Sequence, residues 1–201
     1  MIITRSLVWH HLPKTAGTTT ERLFLASGID LLWNDPQTSS LKHLPPLDHP
    51  RASDLPIAGQ HPLLNFRRLP NWLLSNYHHK TNMMGLHLND EPMRNGLFWR
   101  HRMQQWLPAD WWLNRLCVDQ SWTFLRVESL KEDFLKCLSQ HERISPLASL
   151  RIRLVSSRNR NVYDRSPQSW FSKHDLETLY AANPLWSSFE LAAYGSLLTL
   201  P

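Results

Sequence analysis

The sequence has few cysteines and no long apolar run. Cys117 and Cys137 are its only cysteines, and two thiols without CxxC spacing give neither a disulfide framework nor a zinc site. Both lie in segments typical of helices, so we expect buried free thiols. No apolar stretch approaches the about 18 residues of a membrane span, and residues 1–6 lack the core of a signal peptide. The sequence therefore predicts no membrane span and a cytoplasmic, prokaryotic protein.

Glycine and acidic residues are also scarce. The 201 residues include 6 glycines, and 22 Lys and Arg outnumber 17 Asp and Glu, which gives a formal net charge of +5. A basic protein suits an anionic ligand, although an ordinary basic surface explains the charge equally well. The basic residues are scattered rather than aligned, so we expect no nucleic-acid partner.

The length predicts a single domain over residues 1–201.

Short apolar segments alternate with segments that favour helices. The predicted strands are Ser6–His11, Leu55–Gln60, Leu63–Phe66, Trp122–Val127 and an edge strand at Arg151–Val155. The predicted helices are Thr18–Ala26, Asn71–His79, Asn95–Trp106, Asp110–Val118, Leu130–Leu138 and Lys173–Tyr194, the last broken near Pro184. This alternation predicts an α/β fold with a central, mainly parallel sheet and helices on both faces. A proline-rich excursion interrupts it between Asn34 and Pro62.

The segment from His11 to Thr19 lies directly between a predicted strand and a predicted helix. Successive backbone N–H groups in such a turn, together with the helix N-terminus, form an anion site. Gly17 allows close approach of the backbone, Lys14 supplies a positive charge, and the threonines offer hydroxyl donors and helix caps. The sequence therefore predicts a P-loop-like phosphate site. It is not a Walker A loop, because its lysine precedes its only glycine.

The order Pro13-Lys14-Thr15-Ala16-Gly17-Thr18-Thr19 resembles the 5′-phosphosulfate loop of sulfotransferases that use 3′-phosphoadenosine 5′-phosphosulfate (PAPS). It is most similar to carbohydrate sulfotransferases of the heparan sulfate 2-O-sulfotransferase type. The resemblance implies that Lys14 contacts the bridging oxygen and the 5′-phosphate, and that residues 15–19 hold the 5′ side of the donor. It also implies transfer of a sulfuryl group to a hydroxyl of a glycan or small molecule. The product would be 3′-phosphoadenosine 5′-phosphate (PAP), and no metal is implied.

A second segment resembles the family's 3′-phosphate element, which is a strand ending in arginine followed by a helix with a serine eight residues on. Arg67 and Ser75 have this spacing. If the register follows Pro70 instead, Arg68 is the ligand. An ordinary basic strand end that caps a helix is the alternative. Farther on, Arg158–Asn161 resembles a donor-covering loop, and an exposed polar turn is an equal alternative.

Sulfuryl transfer needs a base that takes the proton of the acceptor hydroxyl, and a histidine that titrates near neutrality suits this role. His61 resembles the family's Gly-His element, although Gln60 interrupts the pair. His43, His49 and Glu21 are alternative bases. The neighbours His78 and His79 point about 100° apart on a helix and cannot share one metal ion well.

Two other functions fit the same loop. A nucleotide-dependent kinase would need a magnesium-binding carboxylate after a second strand, and Glu128 is the candidate. A catalytically inactive, sulfotransferase-like binding protein is the other alternative, favoured by the short segment before Arg67. The sequence does not identify the acceptor.

Overall fold

The computed structural model describes residues 1–36, 38–156 and 163–200. Its strands are β1 (Ile2–Ile3), β2 (Leu7–His10), β3 (Trp33–Asn34), β4 (His61–Phe66), β5 (Leu97–Arg100), β6 (Gln105–Pro108) and β7 (Thr123–Arg126). Its α-helices are α1 (Gly17–Ser27), α2 (Leu69–His78), α3 (Glu91–Arg94), α4 (Asp110–Arg115), α5 (Leu130–His141), α6 (Pro146–Leu154), α7 (Lys173–Ala181) and α8 (Pro184–Tyr194). The protein therefore has an α/β fold.

The described residues group into two compact units. The first unit contains residues 1–66 and 119–156, and the second contains residues 67–118 and 163–200. The chain leaves the first unit directly after β4 and returns to it before β7. The single domain expected from the length of the chain stays a prediction.

The first unit contains a five-stranded sheet in the order β3-β1-β2-β4-β7. The pairs β2–β4 and β4–β7 are parallel, whereas β1 runs antiparallel to β2 and β3. The prediction of a mainly parallel sheet is therefore corrected to a mixed one. A tight turn, in which the Thr4 N–H donates to the Leu7 carbonyl at 2.9 Å, reverses the chain between β1 and β2. Two-residue strands of this kind leave no pattern in the sequence.

Alternate residues of the strands face two different layers, because side chains alternate across a sheet. Leu7 and Leu63 lie in one buried cluster with residues of α1, α5 and α6, in which Phe24 and Phe134 meet edge to face at 4.9 Å. On the opposite side, Val8 packs against Leu55 of the proline-rich excursion. Within this unit the α-helices of the core thus share one face, and the excursion covers part of the other.

The second unit is built around α2. Trp72 of this helix is fully buried and packs on Trp186 of α8 at 4.8 Å and on Phe98 of β5 at 5.3 Å. Strands β5 and β6 form a hairpin in which Trp99 lies opposite Trp106. None of the helices in the described ranges is long and apolar enough to cross a membrane.

Several predicted elements differ from the structure. Asn95–Trp106 does not form one helix, because most of it belongs to the hairpin β5–β6, whose tip is the short 3₁₀ helix His101–Met103. Arg151–Val155 is not a strand but the end of α6, whose start is capped by the Ser145 hydroxyl, which accepts a hydrogen bond from the Ala148 N–H at 3.1 Å. Leu55–Gln60 is not a strand, and Pro62 lies inside β4 instead of splitting it.

The two cysteines also differ from each other. Cys137 is buried, as predicted, and burial raises the pKa of its thiol to about 11. Cys117 is exposed, because it follows the end of α4 with a left-handed backbone (φ 53°), so the prediction of a second buried thiol is wrong.

Candidate functional site

The predicted phosphate loop joins β2 to α1 in the first unit. Strand β2 ends at His10 and α1 begins at Gly17, so residues 11–16 form the connection. His10 is in register with Leu64 of the parallel strand β4. The loop therefore follows the carboxyl end of β2, at the sheet edge toward which β4 and β7 also run, and in open α/β sheets ligands bind outside these strand ends.

The backbone of the loop has an uncommon conformation. Lys14 (φ 67°) and Ala16 (φ 63°) both lie in the left-handed region, although neither is glycine. Non-glycine residues rarely adopt this region, and such strained positions cluster at functional sites. Ala16 is the N-cap of α1 and provides no side-chain cap. The expectation that a threonine hydroxyl caps this helix is therefore wrong, and the first turn keeps uncapped N–H groups.

Asn65 of β4 holds the loop from within the unit. Its side chain is fully buried, and its amide nitrogen donates to the Thr15 carbonyl at 2.6 Å and to the Thr20 hydroxyl. Its amide oxygen accepts from the Trp9 indole N–H at 3.0 Å. One side chain thus ties two strands to both ends of the bend between Thr15 and Thr20.

These bonds fix the direction of two backbone N–H groups. In a trans peptide the C=O and N–H groups point in opposite directions. The Thr15 carbonyl points to Asn65, so the Ala16 N–H points away from it. The Ala16 carbonyl accepts from Thr19 and Thr20 of α1, so the Gly17 N–H points away from the helix. Among the described residues, the N–H groups of Thr15, Ala16 and Gly17 have no acceptor. Successive N–H groups of this kind can bind an anion.

Gly17 is required by its contact with His11. A Cβ atom at position 17 would lie 1.8 Å from Nε2 of the His11 ring. This ring stacks on Trp9, with ring centroids 5.0 Å apart, and lies 4.4 Å from the ring of His43. Burial, and secondarily the proximity of His43, lowers the pKa of His11 well below its usual range. The His11 imidazole is therefore neutral at physiological pH.

His43 is the alternative base that the structure brings to the loop. Its Nδ1 lies 3.0 Å from the His11 carbonyl oxygen. A carbonyl only accepts, so Nδ1 carries the proton and the lone pair of the neutral ring is on Nε2. A histidine oriented through one nitrogen in this way can accept a proton on the other.

His61 lies at the amino-terminal end of the parallel strands, opposite the end at which the loop follows β2. It begins β4, and its register partner is Leu7, the first residue of β2. Along β4, His61 lies three positions before Leu64, which corresponds to about 10 Å of strand. Leu64 pairs with His10, and the loop begins only after His10. Its Nε2 lies 2.7 Å from the Thr123 hydroxyl, its ring stacks on His141 at 4.5 Å, and burial and His141 lower its pKa. The structure does not bring His61 together with the loop.

The two remaining alternative bases have other surroundings. His49 is buried, and its Nε2 lies 3.2 Å from the carboxylate of Asp35, beneath the ring of Trp33. Glu21 lies on α1, about one turn after Gly17. Neither side chain forms a hydrogen bond or ion pair with the loop within the described ranges.

The proposed 3′-phosphate residues belong to the second unit. Arg68 is the N-cap of α2, and its Nη1 lies 3.2 Å from the buried carboxylate of Glu190 while its guanidinium stacks over Tyr194 at 4.4 Å. Arg68 is thus engaged in the structure of the unit. Arg67 directly follows β4, and its carbonyl accepts from the Trp186 indole at 3.1 Å. Ser75 lies on α2 and is buried.

The other predicted elements are placed as follows. Glu128 lies in the short turn of helix Val127–Ser129 that follows β7. Arg158–Asn161 lies outside the described residues. In the described ranges, no group of three or more His, Cys, Asp or Glu side chains is arranged to hold a metal ion.

Asn65 is the site residue that the sequence did not reveal. A signal was present, because Asn65 is the only polar residue in the buried run Leu63-Leu64-Asn65-Phe66, and a lone polar side chain in a buried strand must find partners.

Comparison with known proteins gives no match. No family model fits the chain, and no curated protein or solved structure is significantly similar to it.

Proposed function

We propose that this protein is a sulfotransferase that moves a sulfuryl group from PAPS to a hydroxyl acceptor, a glycan or a small molecule. The observation that carries the proposal is the loop between β2 and α1. Its sequence resembles a 5′-phosphosulfate loop. Asn65 directs the Ala16 N–H away from its own side chain, and the hydrogen bonds of the first turn direct the Gly17 N–H away from α1.

The loop would act on the leaving group. In the transfer, the acceptor oxygen forms a bond to sulfur while the bond from sulfur to the 5′-phosphate oxygen breaks, so negative charge develops on that phosphate. Fixed N–H donors and a positive charge stabilise such an oxyanion without reorganisation. Lys14, Thr18 and Thr19 would add their side-chain donors to the backbone N–H groups of residues 15–17. The chemistry needs no metal.

Arg67 and Ser75 are proposed to hold the 3′-phosphate of the donor. The engagement of Arg68 with Glu190 and Tyr194 supports the register that uses the serine spacing rather than the register that follows Pro70. A ligand arginine must offer its N–H donors to phosphate. Arg68 instead donates to a carboxylate and to the Ser196 carbonyl.

His43 replaces His61 as the proposed base. Its hydrogen bond to the His11 carbonyl anchors it beside the loop and places the proton of the neutral ring on Nδ1. His61 does not fit this role, since it lies at the start of β4, at the sheet edge opposite the loop. We expect His43→Ala to lower kcat by about 10²–10⁴-fold with PAP affinity unchanged, whereas His61→Ala leaves kcat unchanged.

The position of His61 also favours a second candidate function, which is donor binding without turnover. A chain of this kind would bind PAP through the loop and transfer nothing to any acceptor. The two functions separate in an assay of PAPS consumption over a panel of hydroxyl acceptors. Binding of PAP without turnover of any acceptor would favour the binding protein.

A thermal-shift screen with PAP, ATP and GTP tests the proposal first, because a ligand that binds the folded state raises the melting temperature by mass action. PAP should raise it most, since only PAP carries a 3′-phosphate. An equal or larger shift with ATP would instead support the kinase alternative, with Glu128 as the candidate magnesium ligand.

A further inference from the structure

The second unit contains a cluster of cations outside the proposed donor site. Lys80, Arg102 and Arg115 each lie close enough to Arg100 for their positive charges to act on its guanidinium. Burial first, and then the neighbouring Arg102 and Arg115, lowers the pKa of Arg100. Burial and Arg100 likewise lower the pKa of Lys80. Neighbouring like charges repel one another, and a bound anion would offset that repulsion.

Arg100 is oriented by two tryptophans. Its guanidinium carbon lies 5.1 Å from the ring centre of Trp111 and 4.9 Å from that of Trp112. Arg115 lies over Trp111 as well, at 5.3 Å. Stacking engages the flat face of a guanidinium and leaves the N–H donors at its edge available for acceptors.

Two buried donors beside the cluster find no acceptor among the described residues, whereas Lys80 Nζ donates to the sulfur of Met84 at 3.4 Å. Among the described residues, Arg100 Nε and the indole nitrogen of Trp112 are buried without a hydrogen-bond partner. Such orphan donors are uncommon in native proteins and call for an explanation such as a bound ion. Lys80, Arg100 and Arg102 also form no ion pair with a carboxylate in the described ranges.

Two other arginines that stack on aromatic rings also pair with a carboxylate, unlike Arg100. Arg51 lies over Trp33 at 4.8 Å and pairs with Asp54 at 3.0 Å. Arg68 lies over Tyr194 and pairs with Glu190. In both, a carboxylate satisfies the edge of the guanidinium that the ring leaves open. Arg100 has the same stacking without a carboxylate.

We infer that Lys80, Arg100 and Arg102 form a binding site for an oxyanion, the phosphate or sulfate group of a soluble ligand. The site goes beyond the proposed transferase function, because it lies wholly in the second unit and does not involve the phosphate loop. A tetrahedral oxyanion matches the forked N–H donors of arginine and satisfies several of them at once. It would also cancel the repulsion among the cations and give Arg100 Nε the acceptor that the protein does not provide.

The test uses the full chain and inorganic sulfate at constant ionic strength, with chloride as the exchanged anion. Sulfate also stabilises proteins through general exclusion from their surface, so the readout must be local. We would follow the Arg Nε–H cross-peaks by NMR and assign them from Arg100→Gln and Arg51→Gln. The Arg100 cross-peak should shift and saturate, whereas that of Arg51, the matched stacked arginine, should not. The variants Lys80→Gln and Arg102→Gln should each lower the affinity for sulfate, measured from the Arg100 cross-peak, by about tenfold or more.

The inference is overturned if the Arg100 cross-peak moves no more than that of Arg51, or if its shift grows linearly without saturation. A second arm adds vesicles of phosphatidylglycerol, because exposed Met103 adjoins Arg102 and could mark a lipid surface. Co-sedimentation with these vesicles, abolished in Arg100→Gln and without a saturable response to sulfate, would contradict a soluble ligand. Retention of the saturable shift in Lys14→Ala would show that the signal is independent of the loop.

Discussion

At Asn65, one buried side chain makes three hydrogen bonds that join β2, β4 and the loop. The direction of the Ala16 N–H depends on the bond to the Thr15 carbonyl, because the two groups share one peptide plane. Asn65 contacts no ligand in the proposed reaction, so we regard it as a positioning residue. Its effect on binding should therefore act through the loop.

We expect Asn65→Asp to weaken both folding and donor binding. A carboxylate cannot donate to the Thr15 carbonyl, and a buried acceptor left without a donor costs about 1–3 kcal/mol. Urea denaturation should show a lower free energy of unfolding, and calorimetry a weaker affinity for PAP. Asn34→Asp, at an exposed asparagine of β3, is the control. If the two variants behave alike, the positioning role of Asn65 is wrong.

Gly17 gives a second prediction at this scale. Gly17→Ala places a methyl group against the His11 ring, which Trp9 and His43 hold from either side. Gly28→Ala is the matched control, since it adds a methyl group in open space and carries only the left-handed strain of about 1–2 kcal/mol. Thermal denaturation should show a greater loss for Gly17→Ala, and His11→Ala should relieve it in the double variant. A smaller loss at position 17 than at position 28 would contradict the contact.

The sequence predicted these residues unevenly. The sequence points to Lys14, Gly17 and the threonines because the order of residues in a strand–loop–helix segment is a local signal, and their role in binding stays a prediction. His61 was assigned to the site because its neighbours resemble a motif, and only the parallel register of β2 and β4 shows that it lies at the opposite edge. Asn65 bonds to Thr15 across 50 positions of sequence, and local sequence patterns do not predict contacts at that separation.

At the scale of elements, the two adjacent arginines before α2, Arg67 and Arg68, have different partners. Arg68→Ala would leave the carboxylate of Glu190 buried without its cation, a change that costs about 3–5 kcal/mol in buried pairs. Arg67→Ala and Ser75→Ala should instead weaken PAP binding by about ten- to a hundredfold with less effect on stability. Urea denaturation and calorimetry on the three variants distinguish the roles. A loss of PAP affinity confined to Arg68→Ala, with stability intact, would move the register to Pro70.

Elements with strong local signals were predicted well, and those fixed by pairing were not. Helix α1, predicted over Thr18–Ala26, spans Gly17–Ser27, and Gly28 ends it because glycine adopts the left-handed conformation there (φ 68°). The sequence favours a helix where the hairpin β5–β6 forms, since the cross-strand contact of Trp99 and Trp106 has no short-range signature. In α6, the start signal Ser145-Pro146 was present, and the β-branched residues after it suggested a strand instead.

At the scale of the whole molecule, buried histidines set the response to acid. Burial lowers the pKa of His10 to about 3 and also lowers the pKa of His11, His61 and His78. The unfolded chain binds a proton at His10 near pH 6.5, whereas the folded chain does so only near pH 3. The stability associated with neutral His10 is therefore complete above pH 6.5 and falls toward pH 3, by about 1.4 kcal/mol per pH unit.

We expect His10→Leu to flatten this dependence. Between pH 6.5 and pH 5.0 the free energy of unfolding of the native chain should fall by about 2 kcal/mol more than that of the variant. Urea denaturation at the two pH values, followed by tryptophan fluorescence, measures the difference. His101→Leu, at an exposed histidine of the hairpin tip, is the control and should keep the native slope. The same slope in His10→Leu would show that His10 has the same pKa in the folded and the unfolded chain.

The central claim is that the loop between β2 and α1 binds the phosphosulfate end of PAPS, and calorimetric titration with PAP and ATP tests it most directly. The native chain should bind PAP more tightly than ATP, and Lys14→Ala should bind PAP about tenfold or more weakly. Lys136→Ala, at an exposed lysine of α5 in the same unit, should bind PAP as the native chain does. Equal affinity for PAP and ATP, or undiminished PAP binding by Lys14→Ala, would contradict the claim.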